Sequence, residues 1–126
     1  MANLNKVFLA GRLTRDPELQ HTSQGTPFTR FTIAVNRSYK DRNGNWQEET
    51  SFIDIVVWGD AADRAVSRFN KGTEVLVEGR LRQSSWETDS GEKRSKIEVV
   101  ADRVQLLSQP GGKGSESSEE IDDIEF

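Results

Sequence analysis

Residues Ser51 to Gly59 read SFIDIVVWG and hold the side chains of this sequence best suited to non-covalent recognition. Strand side chains alternate between two faces, so Ile53, Ile55 and Val57 share one side while Phe52, Asp54, Val56 and Trp58 share the other. The first set is a plain core face. The second mixes two flat rings with a carboxylate, and a face bearing a charge usually stays partly wet. Exposed rings on a strand offer a stacking platform for planar groups. The competing reading is that another layer of the protein covers both rings, and this stretch alone leaves the two readings open.

Covalent chemistry has little to work with. The sequence has no cysteine and a single histidine, His21, which excludes thiolate metal sites, disulfides and cysteine nucleophiles. Gly111-Gly112-Lys113-Gly114 lacks the spacing of a phosphate loop and the Ser or Thr that follows its lysine. Asp54 and Asp60 form a conceivable metal pair, but nothing else joins them. No catalytic residue, metal or cofactor is therefore expected.

The elements that position the rings follow from the alternation of apolar residues. Asn5 to Leu13 reads as a first strand with Val7, Leu9 and Leu13 inward, Lys6, Phe8, Ala10 and Arg12 outward, and Gly11 marking a possible bulge. Arg15 to Pro27 carries turn chemistry and reads as a loop or short irregular hairpin. Phe28 to Asn36 is a second strand with Phe31, Ile33 and Val35 inward and Arg30, Thr32, Ala34 and Asn36 outward. Asn43-Gly44, flanked by Tyr39, Lys40, Arg42 and Trp46, is the tip of a projecting hairpin.

After the Ser51 to Gly59 strand, Asp60 is expected to cap a helix whose apolar stripe is Ala62, Ala65, Val66 and Phe69, ending at Asn70-Lys71-Gly72. Thr73 to Gln83 is a fourth strand with Val75, Val77 and Leu81 inward and Glu78, Arg80 and Arg82 outward, bending at Gly79. Trp86 follows on a second projecting hairpin. The final strand, Ser95 to Leu107, places Ile97, Val99 and Ala101 inward and then shifts phase to Val104 and Leu106, which predicts a bulge near Asp102-Arg103.

Charge divides the chain. From Lys113 onward six acids stand against one base, leaving sixteen bases and fifteen acids before it. The formal net charge of −4 therefore belongs to the tail, and a nearly neutral body remains open to an anionic partner. The Pro/Gly/Ser/Glu composition after Gln109 has nothing to bury and is expected to be disordered, yet Ile121, Ile124 and Phe126 return apolar side chains, as an anchor for a protein partner would. No stretch approaches the ~20 apolar residues of a membrane span, and no leader pattern opens the sequence, so a soluble, cytoplasmic protein without membrane contact is expected.

The expected architecture is all-β: a five-stranded OB-fold barrel with one capping α-helix between strands 3 and 4 and a disordered acidic C-terminal tail. On Asn5-Lys6-Val7, Gly11-Arg12-Leu13, Asp16-Pro17-Glu18, Trp58-Gly59, Lys71-Gly72, Val77-Glu78-Gly79-Arg80-Leu81, Trp86 and the acidic end, the chain resembles the bacterial single-stranded DNA-binding proteins. The resemblance implies base-stacking roles for Tyr39, Phe52, Trp58 and Trp86, with Trp46 left unassigned. It implies phosphate contacts from Lys6, Arg12, Arg30, Arg37, Lys40, Arg80, Arg82 and Lys96, with Arg42 also on the first hairpin.

By the same resemblance, residues 1–107 form the DNA-binding domain, 108–120 a linker, and 121–126 a tip. In that tip Asp122, Asp123, Ile124 and Phe126 dock replication and repair proteins. It further implies a homotetramer that is nucleoid-associated and serves replication, recombination and repair. Against the family pattern, Glu125 stands where proline is usual, which raises the entropy cost of docking. Asp54 between two stacking rings repels phosphates, so the bases are expected to turn inward there with Arg30 or Arg82 holding the backbone away. The rival classes are an enzyme, for which no constellation exists, and an OB-fold module for structured RNA, an oligosaccharide or protein alone.

Overall fold

The computed structural model describes residues 2–110, so the sequence expectations for the tip at 121–126 and most of the linker lie outside the described residues. Six strands and one helix follow in the order β1 (Val7–Leu13), β2 (Glu18–His21), β3 (Pro27–Lys40), β4 (Trp46–Trp58), α1 (Asp60–Arg68), β5 (Glu74–Glu87) and β6 (Lys93–Ser108). They form one sheet ordered β1-β5-β6-β4-β3-β2, and an additional β1–β3 pairing closes it into a five-stranded barrel. Pairings are antiparallel except β4 with β6, where Ile55 faces Val99 and Val56 faces Val100 in parallel. The expected OB-fold barrel and its single helix are thus present.

Alternation predicts the core. Leu13, Phe31, Ile33, Ile55, Val57, Val75, Val77 and Val99 are buried inside the barrel, and Ala62 and Ala65 of α1, with Phe69 at its C-cap, join the same cluster and plug one end. Two sequence motifs from distant parts of the chain meet beside this plug, where the Lys71 backbone N–H donates to the Asp16 carboxylate at 2.7 Å. The phase shift predicted for the last strand also holds. Glu78 faces Arg103 while Gly79 faces Ala101, which leaves Asp102 as the extra residue of a bulge. A Cβ on Gly79 would lie 2.2 Å from the Val100 carbonyl oxygen, so the sharp bend here depends on glycine.

The hairpin reading of Arg15 to Pro27 holds, since the segment contains strand β2, which pairs antiparallel with β3 outside the closed barrel. Three details differ from the sequence expectations. Gly11 carries no bulge, since β1 stays in continuous register with β5 from Val7 to Arg12. Asp60 does not cap α1: the cap is Gly59, at φ 73°, with no side-chain hydrogen bond. Asp60 and Asp63 instead sit in the first turn, where negative charge favours the helix N-terminus. Finally Leu81 and Ile97, assigned inward by phase, are exposed. The β5–β6 hairpin runs past the end of the barrel, where the inward phase no longer meets a core.

Candidate nucleic-acid interface

Cross-strand register collects the predicted residues into groups. On the outer face of the barrel, strand parity places Arg30 of β3, Phe52 and Trp58 of β4, Lys96 of β6, and Arg82 and Trp86 of β5 on one side. Phe52 is 68% and Trp86 44% exposed, which answers the question left open by the SFIDIVVWG stretch for Phe52. Trp58 is half-buried because it packs on Phe28, the two ring centroids lying 5.0 Å apart at 33°. Phe28 in turn lies under the Arg30 guanidinium, 5.3 Å from its ring centroid. A row of flat groups therefore runs Trp58, Phe28, Arg30.

The row continues through a residue that sequence reasoning missed. Glu98 is 1% exposed and is the sole buried charged residue among the described residues. Its Oε1 accepts from Arg82 Nη2 at 2.7 Å, and its Oε2 accepts from Arg30 Nε at 3.4 Å. Lys96 Nζ lies 4.0 Å from the same Oε2 and 3.8 Å from Asp54 Oδ2. Burial pushes the Glu98 carboxyl up, but the Arg82 hydrogen bond and the Arg30 charge and hydrogen bond outweigh it, leaving the group below the usual range. Asp54 is held separately, accepting from Thr32 Oγ1 at 2.7 Å. Arg30 and Arg82 thus turn toward Glu98, and the cation beside Asp54 is Lys96.

The signal for Glu98 was present but faint. It occupies the outward phase of β6 between Ile97 and Val99, directly opposite Arg82. Only the register reveals that pairing. Phe28 gives no such signal in the sequence, since it lies at the start of its strand and shares no motif with the other rings.

Of the remaining candidates, Arg12 and Arg80 share this outward side by register, Arg12 through Ala34 to Phe52 and Arg80 through Val100 and Val56 to Arg30, and the others lie farther out. Tyr39 sits in the distal β3–β4 hairpin opposite Gln47, on the ribbon face opposite that of Phe52, with Arg37 4.9 Å from its ring centroid. Trp46 falls on the Phe52 side by alternation and is 69% exposed, with Lys40 5.8 Å from its ring. Lys6 and Arg12 lie across β1–β5, paired with Glu78 at 2.6 Å and Glu74 at 3.3 Å. Arg37 pairs with Glu49 at 3.5 Å and Arg80 with Asp102 at 2.9 Å. Such exposed pairs are worth little, about 0–1 kcal/mol, and exchange readily for another anion. Glu98, by contrast, has no solvent to fall back on. The arrangement offers planar stacking surfaces rimmed by cations and, among the described residues, no cluster of His, Cys, Asp or Glu able to hold a metal ion.

Comparison with known proteins places this geometry in context. Residues 4–107 match the model of the single-strand binding protein family. The single-stranded DNA-binding protein of Aquifex aeolicus is 47% identical over 97% of this chain and 84% of its own length. That of Treponema pallidum is 50% identical over 85% of this chain and 60% of its own. Among solved structures, a deletion mutant of the Thermus aquaticus single-stranded DNA binding protein superposes with a TM-score of 0.76 at 30% identity, covering 86% of this chain and 52% of that one. A Plasmodium falciparum SSB complex with ssDNA gives a TM-score of 0.75 at 26% identity, covering 84% of this chain and 95% of that one.

Proposed function

The chain belongs to the single-strand binding protein family, and from that premise we propose that it coats single-stranded DNA without reading its sequence, as a non-enzymatic protein of replication, recombination and repair. The observation that carries the reading is the shared face of Phe52, Trp58 and Trp86 with Arg30, Arg82 and Lys96. Every base has a π-face, so rings in such a setting grip any single strand, at about 1–3 kcal/mol per stacked base. Tyr39 and Trp46 extend the stacking surface onto the two sides of the β3–β4 hairpin. Lys6, Arg12, Arg37, Lys40 and Arg80 supply charges that exchange a carboxylate or ring partner for phosphate.

Titration of tryptophan fluorescence with poly(dT), and separately with duplex of equal length, tests the reading. Single strands should quench emission, with log K falling by about 0.7 per phosphate neutralised as log salt rises. Absence of quenching, or equal affinity for duplex, would contradict it.

The same reading gives Asp122, Asp123, Ile124 and Phe126 the docking of replication and repair proteins, carried on the Gly/Ser/Glu-rich stretch that precedes them. It also places the protein in the cytoplasm at the nucleoid and makes it a homotetramer. Support for self-association comes from β1, where exposed Phe8 lies on the outer face beside half-buried Leu76 of β5, an apolar surface that a second copy would cover. Sedimentation at micromolar protein distinguishes a tetramer from a monomer.

A further inference from the structure

Seven of the eight predicted phosphate-contacting bases already have a carboxylate partner, and those partners differ in one respect that matters for binding. Glu74, Glu78, Glu49 and Asp102 are at least partly exposed and can be released to water when a phosphate arrives. Glu98 cannot be: its side chain is fully shielded, and the groups shielding it include the guanidiniums of Arg30 and Arg82. A buried carboxylate stripped of its partners is strongly destabilising. Arg30 and Arg82 are therefore held to the protein when DNA binds, and the one carboxylate they share lowers their combined charge before the DNA arrives.

Resting on the reading that single-stranded DNA crosses this face, we infer that Glu98 is a positioning residue that makes Arg30 and Arg82 fixed planar platforms for bases and takes them out of phosphate neutralisation. Three observations converge on this. Arg30 continues the row of rings from Trp58 through Phe28, so its guanidinium adds a further flat group to that row. Guanidinium planes stack on bases as rings do, and a guanidinium locked by a carboxylate loses less freedom in doing so. Glu98 and Asp54 also set two negative charges against the three positive charges of Arg30, Arg82 and Lys96, so the centre of the face carries less positive charge than its bases alone would give it. A phosphate gains less there than at an unpaired cation, and a base gains a flat surface. The DNA backbone then follows at the margin, past Lys40 on the β3–β4 hairpin, and the strand lies bases-inward.

The salt dependence of binding separates this role from a merely structural one. Poly(dT) affinity is measured by fluorescence from low to high salt for the full chain and for R30Q, R82Q, K40Q and E98Q. The inference expects R30Q and R82Q to weaken binding about equally at every salt concentration, giving lines parallel to the unsubstituted protein. K40Q should flatten the slope by about 0.7, as the loss of one phosphate contact does. In E98Q the two arginines are set free, and the slope should steepen by about 0.7 for each one that reaches a phosphate.

Slopes that flatten by about 0.7 in both R30Q and R82Q would overturn the inference, as would an E98Q slope equal to that of the unsubstituted protein in a variant that folds by circular dichroism. If E98Q does not fold, the R30Q and R82Q slopes decide alone. Failure of the underlying reading looks different: the unsubstituted protein would not bind poly(dT) at all.

Discussion

Arg82 donates to Glu98 at 2.7 Å across the β5–β6 pair, so the most basic stretch of β5 is tied down by a carboxylate that solvent does not reach. Arg30 reaches the other oxygen of the same carboxylate from β3, a strand that pairs with neither β5 nor β6. One buried charge thus links both sides of the barrel face on which the exposed rings stand. Stability and recognition meet in that link.

For stability, the sign follows from the lowered pKa of Glu98. Its ionised form is favoured by folding, so the contribution is complete above the ordinary glutamate range near 4.5 and is lost as pH falls through the lower folded value. Thermal unfolding followed between pH 7 and pH 2 should show a flat region and then a fall. E98Q should be less stable at neutral pH, by about 1–3 kcal/mol after discounting for the half-exposed arginines. Its acid limb should be shallower than that of the unsubstituted protein. An identical acid limb would remove Glu98 from the account of stability.

Phe52 and Trp86 stand out from the surface and support no core. F52A and W86A should each weaken poly(dT) binding by about 1–3 kcal/mol while leaving the melting temperature within a degree or two. Trp58 differs, because its ring packs on Phe28. W58A should cost both affinity and stability, and the comparison of melting curves with titrations checks the distinction.

Asp54 accepts from Thr32 and lies near Lys96, without touching either arginine of the Glu98 cluster. D54N keeps an acceptor for Thr32 and frees Lys96 from one anion. Affinity for single strands should stay equal or rise, most visibly at low salt. A marked loss in the same titration would assign the carboxylate a structural role.

Much of this arrangement is legible in the chain itself, because the barrel imposes a period of two that the apolar residues obey. Ile33, Ile55, Val57, Val75, Val77 and Val99 all fall in the core where alternation puts them, and the break in phase near Asp102 marks a real bulge. What alternation does not convey is where the barrel ends. Leu81 and Ile97 have the inward phase and yet are exposed, because β5 and β6 outrun the core. Nor does it convey register, and the Arg30–Glu98–Arg82 link depends wholly on which residues of β3, β5 and β6 come side by side. The cap of α1 departs from the sequence expectation for a local reason: Asp60 has the preferred chemistry of a cap, but the positive φ of Gly59 turns the chain one residue earlier.

Gly79 is a position where the fold depends on a missing side chain. G79A would press a methyl group to within 2.2 Å of the Val100 carbonyl oxygen unless β5 and β6 part. Urea unfolding should show a loss of about 1–3 kcal/mol or more. An unchanged midpoint would mean that the bend has more room than the structure gives it.

Removing Ile121 to Phe126 tests the docking tip. Capture of replication and repair enzymes should be abolished, while affinity for poly(dT) is retained or raised, because an acidic segment competes with phosphate for basic surface. Weaker DNA binding after the truncation would contradict that competition.

The central claim is that single-stranded DNA lies on the Trp58, Phe52 and Trp86 face with its bases turned toward the protein. A crystal structure of the protein with an oligo(dT) strand measures this most directly. The account predicts bases stacked on Phe52, Trp58 and Trp86, Arg30 and Arg82 still bonded to Glu98 beneath them, and phosphates at the margin beside the hairpin cations. Phosphates seated on Arg30 and Arg82, with the bases facing solvent, would contradict it.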